Sequence, residues 1–121
     1  HPGVREAMAE MLVELGYQVL PAENGRHAIH LFNEFNERGA QIDMVVSDLV
    51  MPDMGGKELY QELVKLYSGA GRLRMLLVTG YPQETLPQWQ DPHGIVRWLQ
   101  KPFAMETFAH RVAETLHDGQ S

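Results

Sequence analysis

The chain has 121 residues, of which 44% are hydrophobic, a length that supports one compact core but not two ordinary domains. Its formal net charge of −6 argues against a nucleic-acid interface, because binding a phosphate backbone requires clustered Lys and Arg side chains. The absence of cysteine excludes disulfides and thiolate metal sites and fits a reducing compartment, and no run approaches the roughly 20 apolar residues needed to cross a bilayer. We therefore predict a single cytoplasmic domain over residues 1–121 that contacts neither nucleic acid nor membrane directly.

The first half of the chain predicts two helices and a short strand. Apolar residues recur at helical spacing before Gly16, which is a typical helix stop. These residues are Val4, Met8, Met11, Leu12 and Leu15. A short strand is expected over residues 17–20, and Asn24-Gly25 begins a second helix that Gly39 ends. The inner face of this second helix carries Ala28, Phe32 and Phe35.

The second half of the chain alternates between strand and helix patterns. Three apolar runs predict strands, and the first of them reads as a strand buried on both faces. The runs cover residues 42–48, 75–78 and 95–100. A helix is expected after each strand, at about residues 57–67, 81–91 and 105–116. The middle helix should be short or irregular, because Pro82 and Pro87 both disfavour a long regular element. This alternation predicts an α/β fold, with a doubly wound parallel sheet and helices on both of its faces.

Each of the three predicted strands runs into a polar residue. Asp48 lies at the end of the first strand and leads into a Pro/Gly-rich loop, Thr79 follows the second strand and Lys101 the third. Open α/β sheets bind ligands at the carboxyl ends of their strands, so we expect these side chains to converge. A carboxylate nucleophile, a hydroxyl donor and an ammonium group suit phosphoryl transfer. Taken singly, the three residues read as a turn residue, a β-branched strand residue and a solvated charge, and only their combination favours a site.

The motifs around these residues resemble those of the receiver domains of two-component response regulators. In order, they are Asp48 with Met51-Pro52 and Gly55-Gly56, then Thr79-Gly80, then Lys101-Pro102-Phe103. The resemblance covers essentially the whole chain and implies a flavodoxin-like (βα)5 receiver fold. Such a fold opens with a strand that ends in a pair of acidic residues, whereas this chain opens with a helix. We therefore predict that the first strand and its acids lie upstream of His1.

The resemblance implies a phosphoacceptor site centred on Asp48. This carboxylate would take a phosphoryl group from the phosphohistidine of a kinase, while Thr79 and Lys101 bind the phosphoryl oxygens. A Mg²⁺ (or Mn²⁺) ion would be held by Asp48, by the backbone carbonyl of Val50 and by further acidic ligands upstream of His1. Thr79 and Trp98 would be the residues that switch conformation on phosphorylation.

More specific predictions concern residues near Asp48, Thr79 and Lys101. Val50 and Tyr81 flank the expected path of attacking water, and we expect them to slow hydrolysis of the phosphoryl group. The Lys101-Pro102 bond is a candidate cis peptide, since X-Pro bonds have only a small trans preference. Asp53 is the nearest competing acid, and it is expected to act as a turn residue or as the cap of the third predicted helix.

The partners implied by the resemblance are a sensor histidine kinase or a phosphotransfer domain. The motif sequences are similar to those of receivers attached to hybrid sensor histidine kinases. The family also implies a homodimer through the fourth predicted helix, the last strand and the last helix. The domain is expected to be a self-catalysed phosphoacceptor rather than an enzyme with a separate substrate. Two alternatives remain open: a phosphorylation-independent docking module, or pseudo-receiver, and more distantly an aspartyl-phosphate-using phosphatase. The phosphatase chemistry needs an acid two residues beyond the nucleophile, where this chain has Val50.

Overall fold

The computed structural model describes residues 2–51, 53–67, 72–81 and 94–117. The elements in chain order are α1 (Pro2–Glu14), α2 (Gly25–Glu37), β1 (Val45–Asp48), α3 (Gly56–Leu66), β2 (Leu73–Thr79), β3 (Gly94–Gln100) and α4 (Met105–His117). The three strands form one parallel sheet in the order β1-β2-β3. Within these ranges, no helix combines the length and apolar character that crossing a bilayer requires.

Helices cover both faces of the sheet. Successive residues of a strand point to opposite faces, and in β2 the apolar residues of both sets are buried. Met75 and Leu77 belong to the cluster under α2 and α3, whereas Leu76 and Val78 belong to the cluster under α1 and α4. Each such side chain contributes about 1.5–3 kcal/mol on burial, so the central strand supports both layers. The predicted doubly wound parallel sheet is confirmed.

The helices begin and end where the sequence signals lie. Asn24 caps α2, and its side chain accepts a hydrogen bond from the backbone N–H of His27. Beyond α1 and α2, Gly16 and Gly39 adopt φ angles of +96° and +74°, which side chains with a Cβ rarely adopt. On α2, Phe32 is buried, but Phe35 is only half-buried and lies 5.9 Å from the guanidinium of Arg38.

The prediction of a short strand over residues 17–20 is wrong. Residues 17–20 are not paired with any other part of the chain that the structure describes. A strand exists only through its ladder of hydrogen bonds to a neighbour, so the apolar pattern alone does not produce one. Leu15, which continues the helical spacing, lies beyond the end of α1 at Glu14 and is 53% exposed.

The first predicted strand is shorter and less buried than expected. β1 covers only Val45–Asp48, and of its four residues only Ser47 is buried. β1 pairs with β2 on one side and forms one edge of the three-stranded sheet, so Val45 and Val46 keep part of their surface exposed. The helix predicted over residues 81–91, with Pro82 and Pro87, lies outside the described residues except for Tyr81.

The helices predicted at about residues 57–67 and 105–116 are present, with one core residue that the pattern did not single out. Leu59 and Leu63 of α3 and Phe108 and Val112 of α4 are buried. Tyr60 is fully buried as well, and its ring fills the space where a Cβ on Gly94 would stand, 2.1 Å from its hydroxyl oxygen. Gly94 therefore lets β3 start directly against α3.

Candidate functional site

The parallel register brings the three predicted site residues to one edge of the sheet. Asp48 is level with Val78 and Thr79 with Gln100, so Asp48, Thr79 and Lys101 all lie at the carboxyl ends of adjacent strands. The Nζ atom of Lys101 is 2.9 Å from Oδ1 of Asp48. Two side chains from strands that are not neighbours in the sheet thus meet across the end of β2.

The Asp48–Lys101 pair is placed so that it can be approached from solvent. Their side chains are 38% and 33% exposed, respectively. Oδ1 of Asp48 is itself buried, and none of the described residues donates a well-aligned hydrogen bond to it, so its contact with Lys101 is mainly electrostatic. A half-exposed pair of this kind adds little to stability. The pair sets a carboxylate beside a positive charge, and that charge can neutralise an incoming anion.

Thr79 lies between the other two residues at the end of the central strand. Its side chain is buried, and its Oγ1 atom accepts a hydrogen bond of 3.1 Å from the backbone N–H of Tyr81. Because that bond uses a lone pair of the oxygen, the hydroxyl hydrogen can still be donated to an anion. The carbonyl of Thr79 also accepts a 2.7 Å hydrogen bond from the N–H of Lys101, which ties the Lys101 loop to β2. The Lys101-Pro102 peptide bond is cis.

The loop after Asp48 is pinned at both of its ends. The N–H of Leu49 donates to Val78, and the carbonyl of Leu49 accepts a 2.7 Å hydrogen bond from the N–H of Gly56 at the start of α3. A Cβ on Gly56 would stand 2.8 Å from the carbonyl oxygen of Asp48 and 2.7 Å from Cδ2 of Leu77. Only glycine permits α3 to begin this close to the backbone of the candidate site.

Asp53 caps a helix, but not the one predicted. Its two carboxylate oxygens accept hydrogen bonds from the backbone N–H groups of Gly25, at 3.2 Å, and of Arg26, at 2.9 Å. It therefore caps α2 rather than α3, and it lies in a bend of the chain, as the alternative prediction of a turn residue allows. The N–H of Arg26, more than any other contact, lowers the pKa of the Asp53 carboxyl below its usual value of 3.8. Sequence distance hid this contact, because the cap and the helix are separated by more than 25 residues.

Of the remaining predicted site residues, Val50 and Tyr81 each follow the last residue of a strand, β1 or β2, by two positions, and Trp98 lies within β3. The side chains of Val50 and Tyr81 are 69% and 56% exposed. Trp98 is partly buried against the cluster under α2 and α3, and its carbonyl oxygen accepts a hydrogen bond from the Arg111 side chain.

The described residues include oxygen donors of the type that suits a magnesium ion. A carboxylate at Asp48 and the backbone carbonyl of Val50 are oxygen donors of the type that Mg²⁺ prefers, and the buried Oδ1 of Asp48 lacks a well-aligned hydrogen bond. The part of the chain that the structure describes contains no group of three His, Asp or Glu side chains that could hold a metal alone. The residues present therefore fit the ion as contributors, with further ligands needed from water or from other acids.

The sequence matches one protein family and several individual proteins over most of its length. The family model for the response regulator receiver domain matches residues 1–113. The chain is 32% identical over 113 residues to the sensor kinase CckA of Brucella abortus and 31% identical over 109 residues to the protein PilH of Pseudomonas aeruginosa. These matches cover 93% and 90% of this chain, respectively. The chain spans only 11% of the length of the sensor kinase but 85% of that of PilH.

Solved structures show the same fold. The receiver domain of the sensor histidine kinase PA1611 from Pseudomonas aeruginosa PAO1, described with a magnesium ion coordinated in its active site cleft, matches with a TM-score of 0.74 at 18% identity. That match covers 98% of this chain and 92% of the other. The chemotaxis protein CheY4 of Vibrio cholerae matches with a TM-score of 0.68 at 24% identity, over 93% of this chain and 89% of the other.

Proposed function

This chain belongs to the response regulator receiver domain family, and from that premise we propose that it is a phosphoacceptor that takes a phosphoryl group onto Asp48. The observation that supports this most directly is the 2.9 Å contact between Lys101 Nζ and Asp48 Oδ1 at the carboxyl edge of the sheet. Thr79 lies at the end of the strand between them. A nucleophile, a cation and a hydroxyl at neighbouring strand ends support binding of a phosphoryl group at this edge of the sheet.

The proposed reaction is a displacement at phosphorus. A carboxylate oxygen of Asp48 attacks the phosphorus of a phosphohistidine, the new O–P bond forms as the P–N bond breaks, and the electron pair stays on the imidazole nitrogen, which takes up a proton. Lys101 then shares its ammonium group with a phosphoryl oxygen, and the Thr79 hydroxyl donates a hydrogen bond to another. Both residues stabilise charge that is spread over the transferred group.

A divalent cation completes the proposal. Asp48 and the backbone carbonyl of Val50 would hold Mg²⁺ or Mn²⁺ together with further oxygen ligands. Such an ion would neutralise charge on the phosphoryl oxygens and help to align them.

The phosphoryl group is proposed to act as a signal through Thr79 and Trp98. Trp98 lies on β3, three residues before Lys101, which directly follows that strand, so a shift of Lys101 and Thr79 toward the phosphoryl group can be passed along β3. Val50 and Tyr81 have exposed side chains beside the site and are proposed to limit the access of water to the acyl phosphate.

The partner is proposed to be a sensor histidine kinase or a phosphotransfer domain, and we place the reaction in the cytoplasm. A homodimer through the segment 81–91, β3 and α4 is a further proposal, of which only Tyr81, β3 and α4 belong to the described residues. A receiver within a hybrid sensor kinase is supported by the similarity to the sensor kinase CckA of Brucella abortus.

The experiment is intact-mass analysis after incubation with acetyl phosphate or phosphoramidate and Mg²⁺. It is run on this chain and on a version extended upstream of His1, with Asp48→Asn as the control. We expect a single adduct of about 80 Da on the wild-type site that is absent from the Asp48→Asn variant. No adduct on folded protein would contradict the proposal and favour the phosphorylation-independent docking module.

A further inference from the structure

The first turn of α2 is capped partly from within and partly from the loop that follows Asp48. Helix N-termini leave backbone N–H groups without helical partners. In α2, Asn24 accepts the hydrogen bond of His27, whereas Asp53 accepts those of Gly25 and Arg26 with its two carboxylate oxygens. A residue of the phosphoacceptor loop therefore supplies two of the three capping bonds.

The next residue of the loop adds an apolar contact at the same place. Gly25 is buried, and a Cβ built on it would stand 2.4 Å from Cγ and 2.8 Å from Sδ of Met54. The Met54 side chain thus lies directly on the Gly25 backbone, and it packs against the core cluster under α2 and α3. We call the contacts of Asp53 and Met54 with the backbone of Gly25 and Arg26 the latch.

The latch acts on the part of the loop that carries the Val50 carbonyl. The ends of the loop are held by the hydrogen bonds of Leu49 to Val78 and of Gly56 to Leu49. In the sequence, Val50 lies between Leu49 and the latch residue Asp53. Its side chain is 69% exposed, so packing of that side chain does not fix the local backbone. The contacts of Asp53 and Met54 fix the loop from the α2 side.

We propose that Asp53 is a positioning residue, which through the latch holds the Val50 carbonyl and the Asp48 carboxylate in the arrangement that phosphoryl transfer requires. The inference rests on the proposed phosphoacceptor function. Asp53 contacts no reacting group, so its effect reaches the site only through the loop. Residues that orient a metal site from outside commonly change affinity or activity by about 10- to 100-fold when they are removed.

The test compares two variants that each remove capping bonds from α2. Asp53→Ala removes the bonds made by the loop, whereas Asn24→Ala removes the bond made within the helix and leaves the loop in place. Asp53→Asn keeps one carbonyl oxygen that can still accept. For each variant, the rate of adduct formation with acetyl phosphate is followed against Mg²⁺ concentration, and amide exchange is measured at Val50, Met51, Gly25 and Arg26.

We expect Asp53→Ala to raise the half-maximal Mg²⁺ concentration by about tenfold and to speed amide exchange at Val50 and Met51. Asp53→Asn should recover part of both effects, and Asn24→Ala should leave the Mg²⁺ dependence within about twofold of wild type. Equal effects of Asp53→Ala and Asn24→Ala would show a helix-stability effect only and would overturn the inference. An Asp53→Ala variant that matches wild type would also overturn it.

The two proposals fail in different ways. If the wild-type protein accepts no phosphoryl group, the proposed function fails, and the latch is judged by amide exchange alone. Faster exchange at Val50 and Met51 in Asp53→Ala but not in Asn24→Ala would still support a latch on the loop. Unchanged exchange would overturn it, whatever the phosphorylation result.

Discussion

At the scale of single residues, Val50 is notable because an apolar side chain is left 69% exposed two residues after the proposed phosphoacceptor. Burial therefore does not explain why the residue is apolar. A role in excluding water from an acyl phosphate would explain it, since the side chain can cover the site without hydrogen-bonding an attacking water.

The Val50→Asn variant is predicted to lose its phosphoryl group about fivefold faster than wild type. The amide can hold a water molecule near the phosphorus, and one hydrogen bond of about 1 kcal/mol corresponds to a rate change of that size. The measurement is the decay of the phosphorylated species by intact mass after the phosphodonor is removed. Val13→Asn is the matched control, because Val13 is also exposed, at 58%, but lies on α1. An unchanged lifetime in Val50→Asn would refute the role in water access.

At the scale of elements, the junction between β1 and α3 carries the strongest geometric constraint near the site. The N–H of Gly56 donates to Leu49, and its Cα lies against the backbone of Asp48 and Leu49. Neighbouring Gly55 is less restricted, since a Cβ there would have its nearest contact at 3.5 Å, with the carbonyl oxygen of Leu49. Two adjacent glycines thus offer a matched pair of substitutions.

Gly56→Ala is predicted to destabilise the protein by about 1–3 kcal/mol and to slow phosphorylation of Asp48. The added Cβ would displace the Asp48 carbonyl or α3, and this cost opposes the helix-forming advantage of alanine over glycine. Gly55→Ala should cost less than about 1 kcal/mol, from a weaker N-cap, and leave the phosphorylation rate near that of wild type. Urea unfolding and adduct formation measure the two quantities. Similar effects of both substitutions would contradict the steric explanation.

At the scale of the whole molecule, local sequence patterns predicted where strands end. They failed for features that depend on a partner from another element, such as strand pairing and the choice of the helix that is capped. Thr79 and Lys101 could be placed at strand ends because a parallel sheet brings its carboxyl ends together. Residues 17–20 were predicted to form a strand, but a strand also needs a paired neighbour, which no local pattern reveals. Asp53 was recognised as a cap, yet the helix that it caps is set by how the loop packs on α2.

This long-range cap gives the molecule a predictable response to acid. The N–H groups of Arg26 and Gly25 favour the ionised form of Asp53, so its pKa in the folded protein lies below 3.8. A carboxyl group with a lowered folded-state pKa stabilises the fold fully above its unfolded-state pKa, and this contribution is lost as the pH falls through the folded-state value. The stabilisation by Asp53 should therefore be constant near neutral pH and decline below about pH 4.

The prediction is checked by comparing urea unfolding of wild type and Asp53→Asn over a series of pH values. The difference between their unfolding free energies should be steady from about pH 7 to pH 5 and should narrow below about pH 4, because protonated Asp53 accepts hydrogen bonds little better than asparagine. Asp43→Asn controls for the loss of one negative charge at an exposed site. A difference that widens toward low pH would mean that the ionised carboxylate does not stabilise the fold through α2. The capping role at α2 would then have to be abandoned, and with it the basis of the latch.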